Sequence, residues 1–144
     1  MVALGERAQH VRVLYRHFPS KAALTAAYLT QVRTERERSA AVTGSPADRL
    51  TALVSEVAAW TRRGDYRGCA FRNYLTEFPA TDDEPARIAR AYLHDTRQEI
   101  DALVTELGRP PLLADRLWLL IDALYAATGT DPEVAVDWAR ELVG

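Results

Sequence analysis

The chain has 144 residues, 48% of them hydrophobic and 26% charged, with a formal net charge of −2 at neutral pH. A chain of this length buries about two-thirds of its unfolded surface, enough for one sizeable core or two small ones without cross-links. Its single cysteine, Cys69, excludes an intrachain disulfide and a cysteine-built metal site, and it suits a reducing cytoplasm.

In chain order, residues 1–10 read as a short helix with Leu4 and Ala8 on one face, and Val11 to Phe18 as a second helix. Pro19 breaks this helix, and Ser20 offers its hydroxyl as N-cap to a third whose first turn carries Lys21. Tyr15, His17, Lys21 and the free N–H groups of the new helix then converge on one patch suited to phosphate. Charge is distributed accordingly. Residues 1–38 carry seven cationic against three anionic side chains, a balance of +4, while the remainder is acidic.

The run Leu14-Tyr15-Arg16-His17-Phe18-Pro19-Ser20-Lys21-Ala22-Ala23-Leu24 resembles the junction between the recognition helix and the following helix in the TetR family of transcriptional regulators. The resemblance implies a helix-turn-helix DNA-binding domain joined to an all-helical ligand-binding and dimerisation domain. It assigns phosphate contacts to Tyr15, His17 and Lys21, and places Arg12 on the recognition helix facing bases or backbone. Two departures stand out: Gln9 or His10 replaces the family's turn glycine, and the family's long first helix has no counterpart ahead of residue 1.

The helix opened by Ser20 is expected to bury Leu24, Ala27, Tyr28, Gln31 and Val32. The run Arg33 to Arg38 reads as a solvated face laced with local ion pairs. Thr43-Gly44-Ser45-Pro46-Ala47-Asp48 is a stop followed by a start, with Ser45 as cap, Pro46 at the first position and Asp48 at the positive end of the dipole. The helix that follows buries Leu50, Leu53, Val54, Val57 and Trp60 or Thr61, and ends near Arg63-Gly64-Asp65.

Gly68-Cys69, Asn73 and Glu77 match a G-C-x-x-x-N-x-x-x-E segment that TetR-like ligand-binding domains carry at the same place. Cys69, Asn73 and Glu77 lie one helical turn apart, a polar stripe that either bonds the ends of neighbouring helices or lines a cavity. A long helix starts at Asp82-Asp83-Glu84-Pro85, buries Ile88, Tyr92, Thr96, Ile100, Leu103, Val104 and Leu107, and closes at Gly108. His94 falls off that stripe and reads as a surface residue. The next helix, Leu112 to Ala127, is apolar nearly all the way round and calls for burial on both sides, yet Asp115, Arg116 and Asp122 rule it out as a membrane span. A last helix, capped by Asp131 with Pro132, is expected to bury Val134, Trp138 and Leu142.

Helical periodicity without a strand pattern predicts an all-α fold. The resemblance divides it into a helix-turn-helix part over 1–42, incomplete for want of its first helix, and a ligand-binding and dimerisation domain over 43–144. No phosphate loop, nucleophile elbow or zinc-protease motif is present, so neither an enzyme nor a cofactor is expected. The leading reading is a cytoplasmic repressor that leaves its operator when a mostly apolar small molecule binds among Trp60, Phe71, Tyr74, Tyr92, Trp118 and Asp122. Its homodimer would form through the last two helices, 111–128 and 132–143. The rival reading is a truncated helical dimer that keeps only the ligand-binding and dimerisation module.

Overall fold

Helix starts in this chain are written in short side chains that accept from the first free N–H groups. The computed structural model describes residues 16–39, 43–126 and 129–144, and shows them at work. Ser20 Oγ accepts from the Ala23 N–H at 3.1 Å to open α1, Lys21–Ser39. Ser45 and Asp48 form a reciprocal capping box at α2, Pro46–Thr61. Asp83 accepts from the Ala86 N–H at the start of α4, Glu84–Glu106. The remaining helices are α3, Ala70–Glu77, α5, Leu112–Ala126, and α6, Glu133–Val143, where Asp131 accepts from the Glu133 N–H at 2.9 Å. The expected helices over 1–10 and 11–15, with Arg12 and Tyr15, lie outside the described residues.

The main core lies where α2 packs across α6, α5 and the C-terminal half of α4. Leu50, Val54, Ile100, Leu103, Val104, Leu117, Ile121 and Val136 are its most buried members. A smaller cluster joins α1, α3 and the N-terminal half of α4 through Leu29, Cys69, Phe71 and Ala89. Burying a side chain such as Phe71 or Leu29 contributes about 1.5–3 kcal/mol, so even the smaller cluster fixes α1 firmly against α4. Tyr125 of α5 packs against both clusters, and a polar gap opens between them beside it.

Three expectations change. On α1 the buried residues are Ala26, Leu29 and Arg36, whereas Ala27, Tyr28 and Gln31 are exposed, so the inward stripe is rotated from the one expected. The run Arg33 to Arg38 is not a uniformly solvated face, because Arg36 points inward with that stripe. On α6 the buried residues are Val136, Ala139 and Val143, while Val134 and Trp138 face outward. Apolar spacing marks a face of a helix without saying whether the same chain covers it.

Candidate functional site

The gap between the two clusters is a cavity of about 150 Å³ whose walls come from α1, α2, α3, α4 and α5. Arg36 dominates it. At 8% exposure it is the one charged side chain that is buried among the described residues. Its NH1 donates to the hydroxyls of Tyr92 and Tyr125, each at 3.0 Å. Its guanidinium carbon lies 5.1 Å from the Trp60 ring centroid, 5.5 Å from Phe71, 5.4 Å from Tyr92 and 5.8 Å from Tyr125. Four aromatic rings thus surround the cation, and their negative faces replace part of the water it has lost. Burial works against its charge, but the oxygens of Tyr125 and Tyr92 more than offset that and hold its pKa above the ordinary arginine value. No described carboxylate pairs with it, and its Nε–H has no partner.

The other charges at the cavity are mostly matched. Arg33 pairs with Glu37 at 2.8 Å and with Asp95 at 2.7 Å, which fastens α1 to α4. Glu99 faces Arg49 at 3.5 Å. Arg72 reaches Asp122 through Nε at 2.8 Å, with its guanidinium over the rings of Trp118 and Tyr125. Glu56 differs, since its Oε1 is buried without a hydrogen-bond partner. The cavity therefore holds one uncompensated cation and one uncompensated carboxylate oxygen.

Of the residues expected around a ligand, Trp60 and Tyr92 line this cavity. Phe71 is fully buried behind Tyr92, stacked on it at 3.9 Å between centroids. Asp122 and Trp118 stand behind Arg72 rather than on the wall. Tyr74 lies toward the far end of α3 and donates to Asp83 at 2.6 Å. That bond pushes the Tyr74 hydroxyl up to about 12 and holds the Asp83 carboxyl below the usual carboxylate range. Tyr74 takes no part in the cavity wall.

Sequence reasoning missed Arg36, Arg72, Glu56 and Tyr125. For Arg36 a signal existed: it stands seven residues after Leu29 and ten after Ala26, the spacing of one helix face. Of the polar stripe at α3, Cys69 Sγ accepts from Arg72 at 3.6 Å and Arg36 at 4.0 Å, whereas the other two members stay away from the cavity. The Asn73 side-chain amide donates to the Arg67 carbonyl at 2.7 Å and closes the loop before its own helix, while Glu77 is exposed. Gly68 makes that closure possible with φ +86°, and a Cβ there would stand 2.9 Å from the Asn73 amide nitrogen.

Two other features complete the surface. At the N-terminal end of α1, Arg16, His17 and Lys21 are exposed around the Ser20 cap. Elsewhere, Arg116, Leu119, Leu120, Ala123, Trp138 and Leu142 of α5 and α6 line an apolar groove. Leu119 is 67% and Trp138 56% exposed there. Among the described residues no helix is long and apolar enough to cross a membrane, and no group of three His, Cys, Asp or Glu side chains could hold a metal ion.

The described residues form an all-helical body with a half-open cavity of charged and aromatic side chains, and α1 runs from it to a basic corner. Among solved structures the chain is similar to a TetR-family transcriptional regulator from Streptomyces coelicolor, with a TM-score of 0.77 and 24% identity over 92% of this chain and 74% of that one. No protein-family model and no curated protein matches the sequence. The fold is the TetR-type fold, read as all-α from the sequence and found so.

Proposed function

We propose that this chain is a ligand-responsive, DNA-binding transcriptional regulator acting in the cytoplasm as a homodimer. The observation that carries the reading is α1. One unbroken helix bears Lys21 at the basic corner and Arg36 in the cavity, fifteen residues apart and about 22 Å along the axis. A ligand that moves Arg36 therefore acts on a rigid rod whose other end holds the DNA-facing corner. By the same reading His17 and Lys21, with Arg12 and Tyr15 before them, face phosphate or base edges, and the Ser20-capped helix start adds free N–H groups.

Dimerisation through α5 and α6 is supported by the apolar groove around Leu119 and Trp138, since clustered exposed apolar surface marks an interface. A dimer would present two corners to successive major grooves of a palindromic operator. Ligand binding would then favour a separation of the corners that no longer matches the operator, and so act as release. Regulators of this kind need no catalytic group.

The test uses DNA from upstream of the protein's own gene, with binding followed by fluorescence anisotropy at several salt concentrations. Binding that weakens as salt rises, and weakens further in Lys21→Ala, supports the reading. Equal binding by wild type and Lys21→Ala, or none at low salt, would leave the helical body as a binding module without a DNA-directed end.

A further inference from the structure

We infer that the cavity ligand is a small one-ring carboxylate bearing a hydrogen-bond donor, with its carboxylate on Arg36 and its donor on Glu56. The inference rests on the regulator reading for its biological meaning, but its chemistry comes from the cavity alone.

Arg36 is more than nine-tenths buried, faces the cavity, and has an Nε–H with no partner among the described residues. A buried guanidinium without a carboxylate is costly to keep, and the missing charge is the one a ligand carboxylate would bring. Its NH1 is already engaged by Tyr92 and Tyr125, which fixes the fork in place before any ligand arrives. Glu56, on α2, contributes a buried oxygen that likewise lacks a partner and asks for a donor. The competing charges are spent elsewhere: Arg33 on Glu37 and Asp95, and Arg72 on Asp122.

Size and shape narrow the class further. A cavity of about 150 Å³ has room for a single six-membered ring. The rings of Trp60 and Tyr92 border it, and the Arg36 guanidinium that lies against both offers a flat surface to a planar occupant. A cationic ligand could pair with Glu56 but would leave the Arg36 Nε–H unpaired, and a wholly apolar one would leave both the Nε–H and the Glu56 oxygen unpaired.

The experiment measures binding to the full chain by calorimetry, with 4-hydroxybenzoate, benzoate, 4-hydroxybenzamide and benzylamine as probes. 4-Hydroxybenzoate is expected to bind at least about tenfold more tightly than its neutral amide and more tightly than benzoate. Arg36→Met abolishes the preference for the carboxylate over the amide, and Glu56→Leu abolishes the preference for 4-hydroxybenzoate over benzoate. The wild-type comparison stands even where a variant fails to fold. Tighter binding of the amide or of benzylamine, no binding of any probe, or carboxylate preference undiminished in a folded Arg36→Met variant would overturn the inference. A selective response to 4-hydroxybenzoate in a chain that binds no DNA would keep this inference and sink the regulator reading. DNA binding without probe selectivity would do the reverse.

Discussion

The contact between Arg36 and Tyr125 offers a direct test of the idea that the cavity is held ready around a costly cation. Tyr125→Phe deletes one hydroxyl that accepts from the Arg36 NH1 at 3.0 Å and changes nothing else in volume or packing. A hydrogen bond to a buried charged group is worth about 1.5–3 kcal/mol, so Tyr125→Phe should cost about 2 kcal/mol in the wild-type background. Arg36→Met removes the charge and keeps an apolar stem. It loses two charge-assisted bonds and the ring contacts and leaves two tyrosine hydroxyls without their donor, but it also removes the desolvation penalty of an unpaired guanidinium, so the terms oppose. Net stability in Arg36→Met should therefore stay within about 1 kcal/mol of wild type, and Tyr125→Phe should cost less than about 0.5 kcal/mol when added to it. Urea denaturation of the four proteins gives the coupling energy by difference. Equal costs of Tyr125→Phe in both backgrounds would refute the reasoning, because the hydroxyl would then be serving something other than the cation.

Gly68→Ala should destabilise by about 2 kcal/mol, since it combines a non-glycine residue at positive φ with displacement of the Asn73 amide from the Arg67 carbonyl. Thermal or urea unfolding reads the cost, and a loss below about 0.5 kcal/mol would deny the loop closure its importance. Leu119→Glu should halve the mass measured by sedimentation while leaving the helical circular dichroism intact, because it places a charge in the exposed apolar groove. The Tyr74 hydroxyl holds the Asp83 carboxyl below its unfolded value, so its contribution to stability is full above about pH 4 and fades as pH falls through the lowered folded value. Tyr74→Phe should accordingly flatten the loss of stability on the acid side of pH 4, and an unchanged acid limb would refute that assignment.

Much of the fold was legible because its boundaries are chemical. Ser20, Ser45, the acidic run at Asp83 and the glycine at 108 mark where helices begin and end, and each does so in the structure. These signals are local and need no partner. The faces were harder to read. Val134 and Trp138 have the right spacing and hydrophobicity to be buried, yet they stay 55% and 56% exposed. The cavity was least legible. Trp60 and Tyr92 could be named as aromatic candidates, but Arg36 sat inside a run of alternating charges that reads as solvated. What buries it is the convergence of Trp60, Phe71, Tyr92 and Tyr125 from four different segments. That convergence is tertiary, and only the position of Arg36 in line with Ala26 and Leu29 hinted at it.

A regulator of this build requires the two ends of α1 to be coupled. With DNA from upstream of the gene bound to the full chain, the apparent affinity should differ between wild type and Arg36→Met at fixed salt, although Arg36 lies about 22 Å along the helix from Lys21. A shift in DNA affinity with no change in the salt slope is the expected result, because Arg36 lies away from the proposed phosphate contacts. Identical DNA affinity in the two proteins, with both folded and dimeric, would contradict it.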